Sequence, residues 1–155
     1  MIKFALIGAL LVVITVVIHA IGTAGWLRVM TRTYADEAGA VRPGKTLHVL
    51  IGTVVVLLVL HTLEIIMWAN AYLRLVPAGD LASFEEAVYF SFVTFTTLGY
   101  GDITLTERFR LLSGIEALNG IMLVGWSTAL LFAVVQRTWQ GIGQRGKTNA
   151  SNEKQ

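Results

Sequence analysis

Three long stretches of this chain carry almost no charge. Lys3 to Arg28 encloses 24 residues without Asp, Glu, Lys or Arg, and Lys45 to Glu64 encloses 18. Arg110 to Arg137 encloses 26, interrupted only by Glu116. In the second stretch the apolar run continues through Ile65, Ile66, Met67 and Trp68. A bilayer core is crossed by about 20 apolar residues in a helix, because there every backbone N–H and C=O must be paired within the chain. Each stretch is long enough, so transmembrane helices are predicted near residues 4–27, 47–70 and 111–136. Composition agrees: 55% of the 155 residues are hydrophobic and 14% are charged, against about 25% charged in a soluble domain. Disorder over most of the length is thereby excluded, and a conventional soluble enzyme is not expected. A net charge of +2 gives no basis for nucleic-acid binding, and the absence of cysteine removes disulfides, thiolate metal sites and a cysteine nucleophile.

The first stretch could also be a cleaved signal peptide, with Lys3 in front and small residues at Gly22 and Ala24. Its apolar run exceeds the roughly 7–15 residues of a signal core. Basic residues give the orientation. Arg28, Arg32, Arg42 and Lys45 lie between the first two spans, and Arg137, Arg145, Lys147 and Lys154 follow the third. The positive-inside rule places both segments in the cytoplasm and leaves the N-terminus and residues 74–110 outside. Cleavage after residue 24 would break that pattern, which favours a retained helix. The expected organisation is an N-terminal helix and linker over 1–46, a central module over 47–137, and a polar, disordered cytoplasmic tail over 138–155.

The outer segment has structure of its own. Ser83-Phe84-Glu85-Glu86 reads as a capping box, and both glutamates suit the positive end of a helix dipole. The helix it opens would run through Val93 towards Thr96. Its roughly 13 residues cover about 20 Å, too short to cross a bilayer. It is expected to be re-entrant; an amphipathic helix lying on the outer surface is the other reading. Thr94-Phe95-Thr96-Thr97-Leu98-Gly99-Tyr100-Gly101-Asp102 follows. Glycines flanking one residue allow positive φ at alternate positions, so successive carbonyls can point to one side. Four such strands around an axis would stack rings of oxygens able to replace the water shell of a cation. One chain supplies one strand, and the site therefore requires a tetramer.

The run from Thr94 to Asp102 resembles the signature of the potassium-channel pore family, with Thr97, Leu98, Gly99, Tyr100 and Gly101 at its TVGYG filter. The order of helix, pore helix, filter and helix over about 47–137 resembles the bacterial two-transmembrane pore module, here with an extra N-terminal helix. The resemblance implies K+ bound at Thr97, Leu98, Gly99 and Tyr100, with Asp102, Thr94, Thr96 and Tyr89 supporting the filter. Arg110, Gly120, Gly125 and Thr128-Ala129 resemble the inner helix of those channels, which implies a bending point at Gly120. It also implies a cavity lined by Ile121, Val124, Thr128, Phe132 and Gln136, the last two near the inner mouth. Those positions also form one helical stripe, which ordinary packing would produce equally. Leu98 replaces the family's usual valine, but its carbonyl would face the ion. Tyr89-Phe90 stands where many relatives carry two tryptophans, and Phe90 cannot donate a hydrogen bond to Tyr100. Val93 stands where some bacterial relatives carry a glutamate. A Gly-x-Gly-x-x-Gly phosphate loop is ruled out by Thr104 and by the lack of a preceding strand.

His61 and Glu64 lie three apart on one face of the second helix, and Glu116 lies at a similar depth on the third, roughly 9 Å below the outer surface. Ionisable groups inside a membrane usually face protein or water. The expectation is an intramembrane polar cluster of His61, Glu64 and Glu116 behind the pore helix, structural in role. The rival reading is a proton sensor, which requires Glu116→Gln or His61→Gln to shift the pH dependence of current. His19 is expected to be a packed or interfacial residue, His48 to sit in the headgroup layer, and no histidine pair has metal-site spacing. Arg28 and Arg32 lie at the cytoplasmic end of the first helix, so there is no voltage-sensing ladder. Asn149-Ala150-Ser151 fits a glycosylation sequon that a cytoplasmic tail would not use. With no nucleophile, acid–base pair or cofactor motif, the chain is not expected to be an enzyme.

The sequence is thus read as an all-α membrane protein, three transmembrane helices per subunit plus a re-entrant pore helix and filter, assembled as a homotetramer. It would pass K+ passively across a plasma membrane (the inner membrane, in a bacterium), with itself, lipids and K+ as partners and no nucleic acid. A non-selective cation channel and a non-conducting scaffold or regulatory subunit remain the alternatives.

Overall fold

The computed structural model describes residues 2–35, 41–77 and 79–152, with side chains, that of Pro43 apart, as far as Trp139. Four α-helices follow one another: α1 (Ile2–Tyr34), α2 (Thr46–Leu75), α3 (Phe84–Phe95) and α4 (Glu107–Asn152). Among the described residues there is no strand, only an isolated bridge between Ala35 and Val41. Segments Ile2–Tyr34, Thr46–Leu75 and Glu107–Trp139 are each long and apolar enough to cross a membrane. All three outrun the charge-free windows. Lack of charge marks the apolar stretch, whereas a helix already nucleated adds residues one hydrogen bond at a time until something stops it. The same propagation changes the C-terminal expectation: where an irregular tail is expected from 138, α4 continues to Asn152. Residues 153–155 of that tail lie outside the described residues.

The start of α2 is set by a 3-10 turn, Pro43–Lys45, closed by the Lys45 amide on the Arg42 carbonyl at 2.8 Å. Proline there fixes φ and loses no helical hydrogen bond. The basic Arg32 and Arg74 lie in the last turns of α1 and α2, and the acidic Glu107 in the first turn of α4. Each has the sign that complements the helix dipole.

Contacts divide the chain into two compact units, Met1–Ala20 with Val59–Gly125, and Ile21–Leu58 with Trp126–Gln155. In the first unit, Trp68, Tyr72, Phe95, Leu112 and Leu123 are fully buried and form one core with Ile65, Ala87 and Phe109. Phe4 of α1 meets Phe109 edge-on with ring centroids 5.0 Å apart. Gly8 lets α1 approach α4 closely, since a Cβ there would lie 2.8 Å from Cδ1 of Ile115. Thr15 and Asn119 join the same two helices, the Asn119 amide donating to the Thr15 hydroxyl at 2.9 Å. In the second unit Met30, Val41, Val49 and Val134 form a smaller core. There the Trp26 indole N–H donates to Thr53 at 2.8 Å, its ring lying over Gly52.

Candidate functional site

The site is built on α3 and the loop that follows it. Ser83 is the N-cap, with extended backbone and its hydroxyl accepting from the Glu86 amide at 3.1 Å. Glu86 reaches back as expected, though to the amide of Ala82 (2.8 Å) rather than to that of the cap residue. Two of the orphan amides at this helix end are thus satisfied. The helix buries Ala87, Phe90, Ser91, Val93 and Phe95, and at its C-cap the Thr96 hydroxyl donates to the Phe92 carbonyl at 2.8 Å.

Beyond Thr96 the chain turns back on the helix end. The Thr97 amide donates to the Thr94 carbonyl (2.9 Å), and the amides of Leu98 and Gly99 converge on the Val93 carbonyl (3.0 and 3.3 Å). Backbone φ is positive at Thr97 (59°), Gly99 (55°) and Gly101 (78°). The alternation expected of the two glycines therefore starts one step earlier, on a β-branched residue. That conformation costs a non-glycine residue roughly 1–2 kcal/mol, and residues held so tend to cluster at functional sites. Residues 97–101 are exposed, Leu98 by 52% and Tyr100 by 67%. Among the described residues, no loop or turn main-chain hydrogen bond ends on one of their carbonyls.

Behind this loop the Tyr89 hydroxyl donates to Oδ2 of Asp102 at 2.7 Å. This bond holds the Asp102 carboxyl below the usual carboxylate range and raises the Tyr89 hydroxyl above that of an ordinary tyrosine. Phe90 turns the other way, its ring edge-on to Tyr72 at 5.1 Å. It braces α3 against α2 rather than the loop. Asp80, from the loop before α3, accepts from the Thr106 amide at 2.8 Å and so fixes the entry to α4. A cleft of about 430 Å³ lies between the loop and the N-terminal part of α4, with Tyr89, Thr97 and Gly101 on one side and Arg110, Ser113 and Ala117 on the other.

The residues expected to line a cavity separate into two groups. Ile121, Val124, Thr128, Phe132 and Gln136 are exposed, as one stripe of α4. Gly120 is buried and faces α3: a Cβ there would lie 2.8 Å from the Phe95 carbonyl carbon, 3.1 Å from its Cα and closer still to its oxygen. Its role is therefore close helix packing directly behind the chain that enters the loop.

The expected cluster of His61, Glu64 and Glu116 is in fact two clusters. Glu116 is fully buried and receives the Tyr72 hydroxyl at 2.6 Å on Oε2, while the Ser91 hydroxyl is shared between its Oε1 and the Ile65 carbonyl at 3.0 Å. One carboxyl thus joins α2, α3 and α4. Glu64, also fully buried, has Nδ1 of His19 2.9 Å from Oε1 and Nδ1 of His61 3.0 Å from Oε2. Of the two alternatives for His19 the packed one holds: it is wholly buried, with Glu64 as its partner, and the two histidine rings lie 5.3 Å apart. Sequence reasoning missed Tyr72, Ser91 and the pairing of His19. Each is a buried polar group in a largely apolar helix, a signal that identifies a partnered residue but not its partner.

The model of an ion-channel family matches residues 46–137, more than half of the chain and the whole of α2, α3, the loop and the apolar part of α4. The chain belongs to this two-transmembrane pore-loop ion-channel family. No curated protein and no solved structure matches it at a significant level. Family and helices together make it an integral membrane ion channel.

Proposed function

We propose that this channel is potassium-selective and works as a homotetramer, with residues 97–101 of four chains forming the ion path. The observation that carries the reading is the alternation of positive φ at Thr97, Gly99 and Gly101. The amides of residues 97–99 are drawn back to Val93 and Thr94, and no loop or turn main-chain bond takes up the carbonyls of 97–101, which supports their availability to a dehydrated cation. The negative end of the α3 dipole points into the same loop and favours a cation there. Tetramerisation is supported by the exposure of Leu98 and Tyr100 in a single chain, since apolar surface of that size is normally covered. In this reading α3 is re-entrant, entering from outside. The basic linker and the C-terminal end of α4 then face the cytoplasm. Ile121, Val124, Thr128, Phe132 and Gln136 line the cavity below the filter, and the Tyr89–Asp102 bond braces it.

The test is the reversal potential of purified protein in planar bilayers, with potassium on one side and sodium on the other. Reversal near the potassium equilibrium potential, lost in Gly99→Ala, is the expected result. Reversal near zero would instead make it a non-selective cation channel, consistent with the absence of a Phe90 hydrogen-bond donor. A mass in detergent below that of four subunits, with no current, would reduce it to a scaffold.

A further inference from the structure

We propose that His19, His61 and Glu64 form a binding site for a divalent transition-metal ion of the zinc class, between α1 and α2. One ligand atom from each residue can be chosen so that all lie within 4.8 Å of one another. Both Nδ1 atoms already converge on the Glu64 carboxylate, at 2.9 and 3.0 Å. Zinc holds nitrogen and oxygen ligands at about 2.0–2.2 Å, so neighbouring ligand atoms of a tetrahedral site stand about 3.3 Å apart. The two nitrogen–oxygen pairs need to open by only a few tenths of an ångström. Two imidazoles and one carboxylate are also the donor set that leaves a zinc ion one open position.

The chemistry separates this site from the ion path. Potassium and calcium take oxygen ligands, whereas imidazole nitrogen selects zinc, cobalt, nickel and copper. Charge gives a second reason. Glu64 is wholly buried, and a carboxylate withdrawn from water needs a positive partner. The Lys and Arg residues of α1 and α2 are Lys3, Arg28, Arg32 and Arg74, all towards helix ends, so a cation held by the three side chains would supply that partner.

The location gives such an ion a consequence. The His61 ring lies 5.7 Å from that of Phe95, the last residue of α3, whose main chain rests on Gly120. A metal bound here ties α1 and α2 together directly against the segment that leads into residues 97–101. Binding itself does not depend on which ion the channel conducts.

The experiment is titration of the full-length protein in detergent with Co2+, followed by its visible d–d bands, with metal content measured after dialysis. Cobalt is expected to bind with stoichiometry near one per chain, to show the intense bands of a four-coordinate site and to be displaced by Zn2+. His61→Gln should weaken binding by more than about tenfold, the least that losing even a ligand's hydrogen-bond partner costs, while His48→Gln should leave it unchanged. Equal uptake by His61→Gln and wild type, or no uptake by wild type, overturns the proposal. If His61→Gln does not elute as wild type does, X-ray absorption at the zinc edge of the wild-type protein decides. Two imidazoles in the inner coordination sphere support the site, and none refutes it.

Discussion

Gly120→Ala is the substitution whose effect the geometry fixes most tightly. The added methyl would sit 2.8 Å from the Phe95 carbonyl carbon, whereas non-bonded carbons settle at about 3.5–4.0 Å. The two backbones must therefore separate by at least about 0.7 Å. The obstacle is main chain, so no side-chain rotation can relieve it. Overpacking of this kind costs about 1–3 kcal/mol, and the backbone contact points to the upper part of that range. Gly114→Ala and Gly125→Ala are the matched controls, since a Cβ at either meets nothing within 4 Å. Replacing glycine in a helix interior otherwise gains up to about 1 kcal/mol, so the controls should be neutral or stabilised. Gly120→Ala shares that gain, so its expected difference from the controls is the overpacking cost alone, about 2–3 kcal/mol. The assay is thermal unfolding of the detergent-solubilised protein, followed by size-exclusion chromatography. Because Phe95 lies two residues before Thr97, the same variant should also disturb permeation. If it melts together with Gly114→Ala and Gly125→Ala, the close contact of α3 and α4 is wrong.

Three further outcomes can be checked. Ser83→Ala removes the cap of α3 and should destabilise the protein by about 1 kcal/mol, read in the same melting assay. Tyr72→Phe leaves buried Oε2 of Glu116 without its donor, at a cost of about 1–3 kcal/mol. With Ser91→Ala in a double-mutant cycle it should be non-additive by about 0.5 kcal/mol or more, because one carboxyl serves both hydroxyls; strict additivity would mean that the two bonds are independent. The third concerns pH. Asp102 is held below its ordinary range by the Tyr89 hydroxyl, and Tyr89 above its own by Asp102. Their bond is thus complete above the ordinary carboxylate value of about 3.9 and fails as pH falls through the lowered one. At the alkaline end it holds up to the ordinary tyrosine value of about 10 and fails as pH rises beyond it. Tyr89→Phe should move the Asp102 titration up into the usual range, as followed by carboxyl 13C NMR; an unmoved titration would assign its shift to another cause.

The sequence predicts the elements of this fold better than their faces. Three charge-free runs, a serine followed by glutamates and a pair of alternating glycines are local signals, and each reappears as a span, a capped helix or a left-handed position. Helix phase is harder to read. Glu64 and Glu116 sit at similar depth, and that suggests one cluster; a modest rotation of α2 or α4 decides whether each carboxyl meets histidines or hydroxyls. His19 and Glu64 lie 45 positions apart, so their contact depends on how α1 packs, which periodicity in one helix does not reveal. Gly120 is similar: its spacing places it correctly as a special position, but only the neighbouring Phe95 shows that closeness is what the glycine supplies. Thr97 could not be foreseen from propensity, because β-branched residues avoid positive φ and are forced there by the hydrogen bonds on either side.

The contacts of α1 bear on how this protein can be divided. The family match begins at residue 46, as though a pore could be cut out there and transplanted. Physically the seam lies elsewhere. His19 holds Glu64, Thr15 holds Asn119, and Gly8 and Phe4 rest on α4. Deleting α1 would turn a buried carboxylate and a buried amide towards hydrocarbon, where neither has water to replace its lost partner. The truncated pore should therefore fail to insert or to assemble, unless Glu64 and Asn119 are changed to apolar residues with it. The first helix is then part of the channel's foundation, and chimeras that preserve this pore must carry it along.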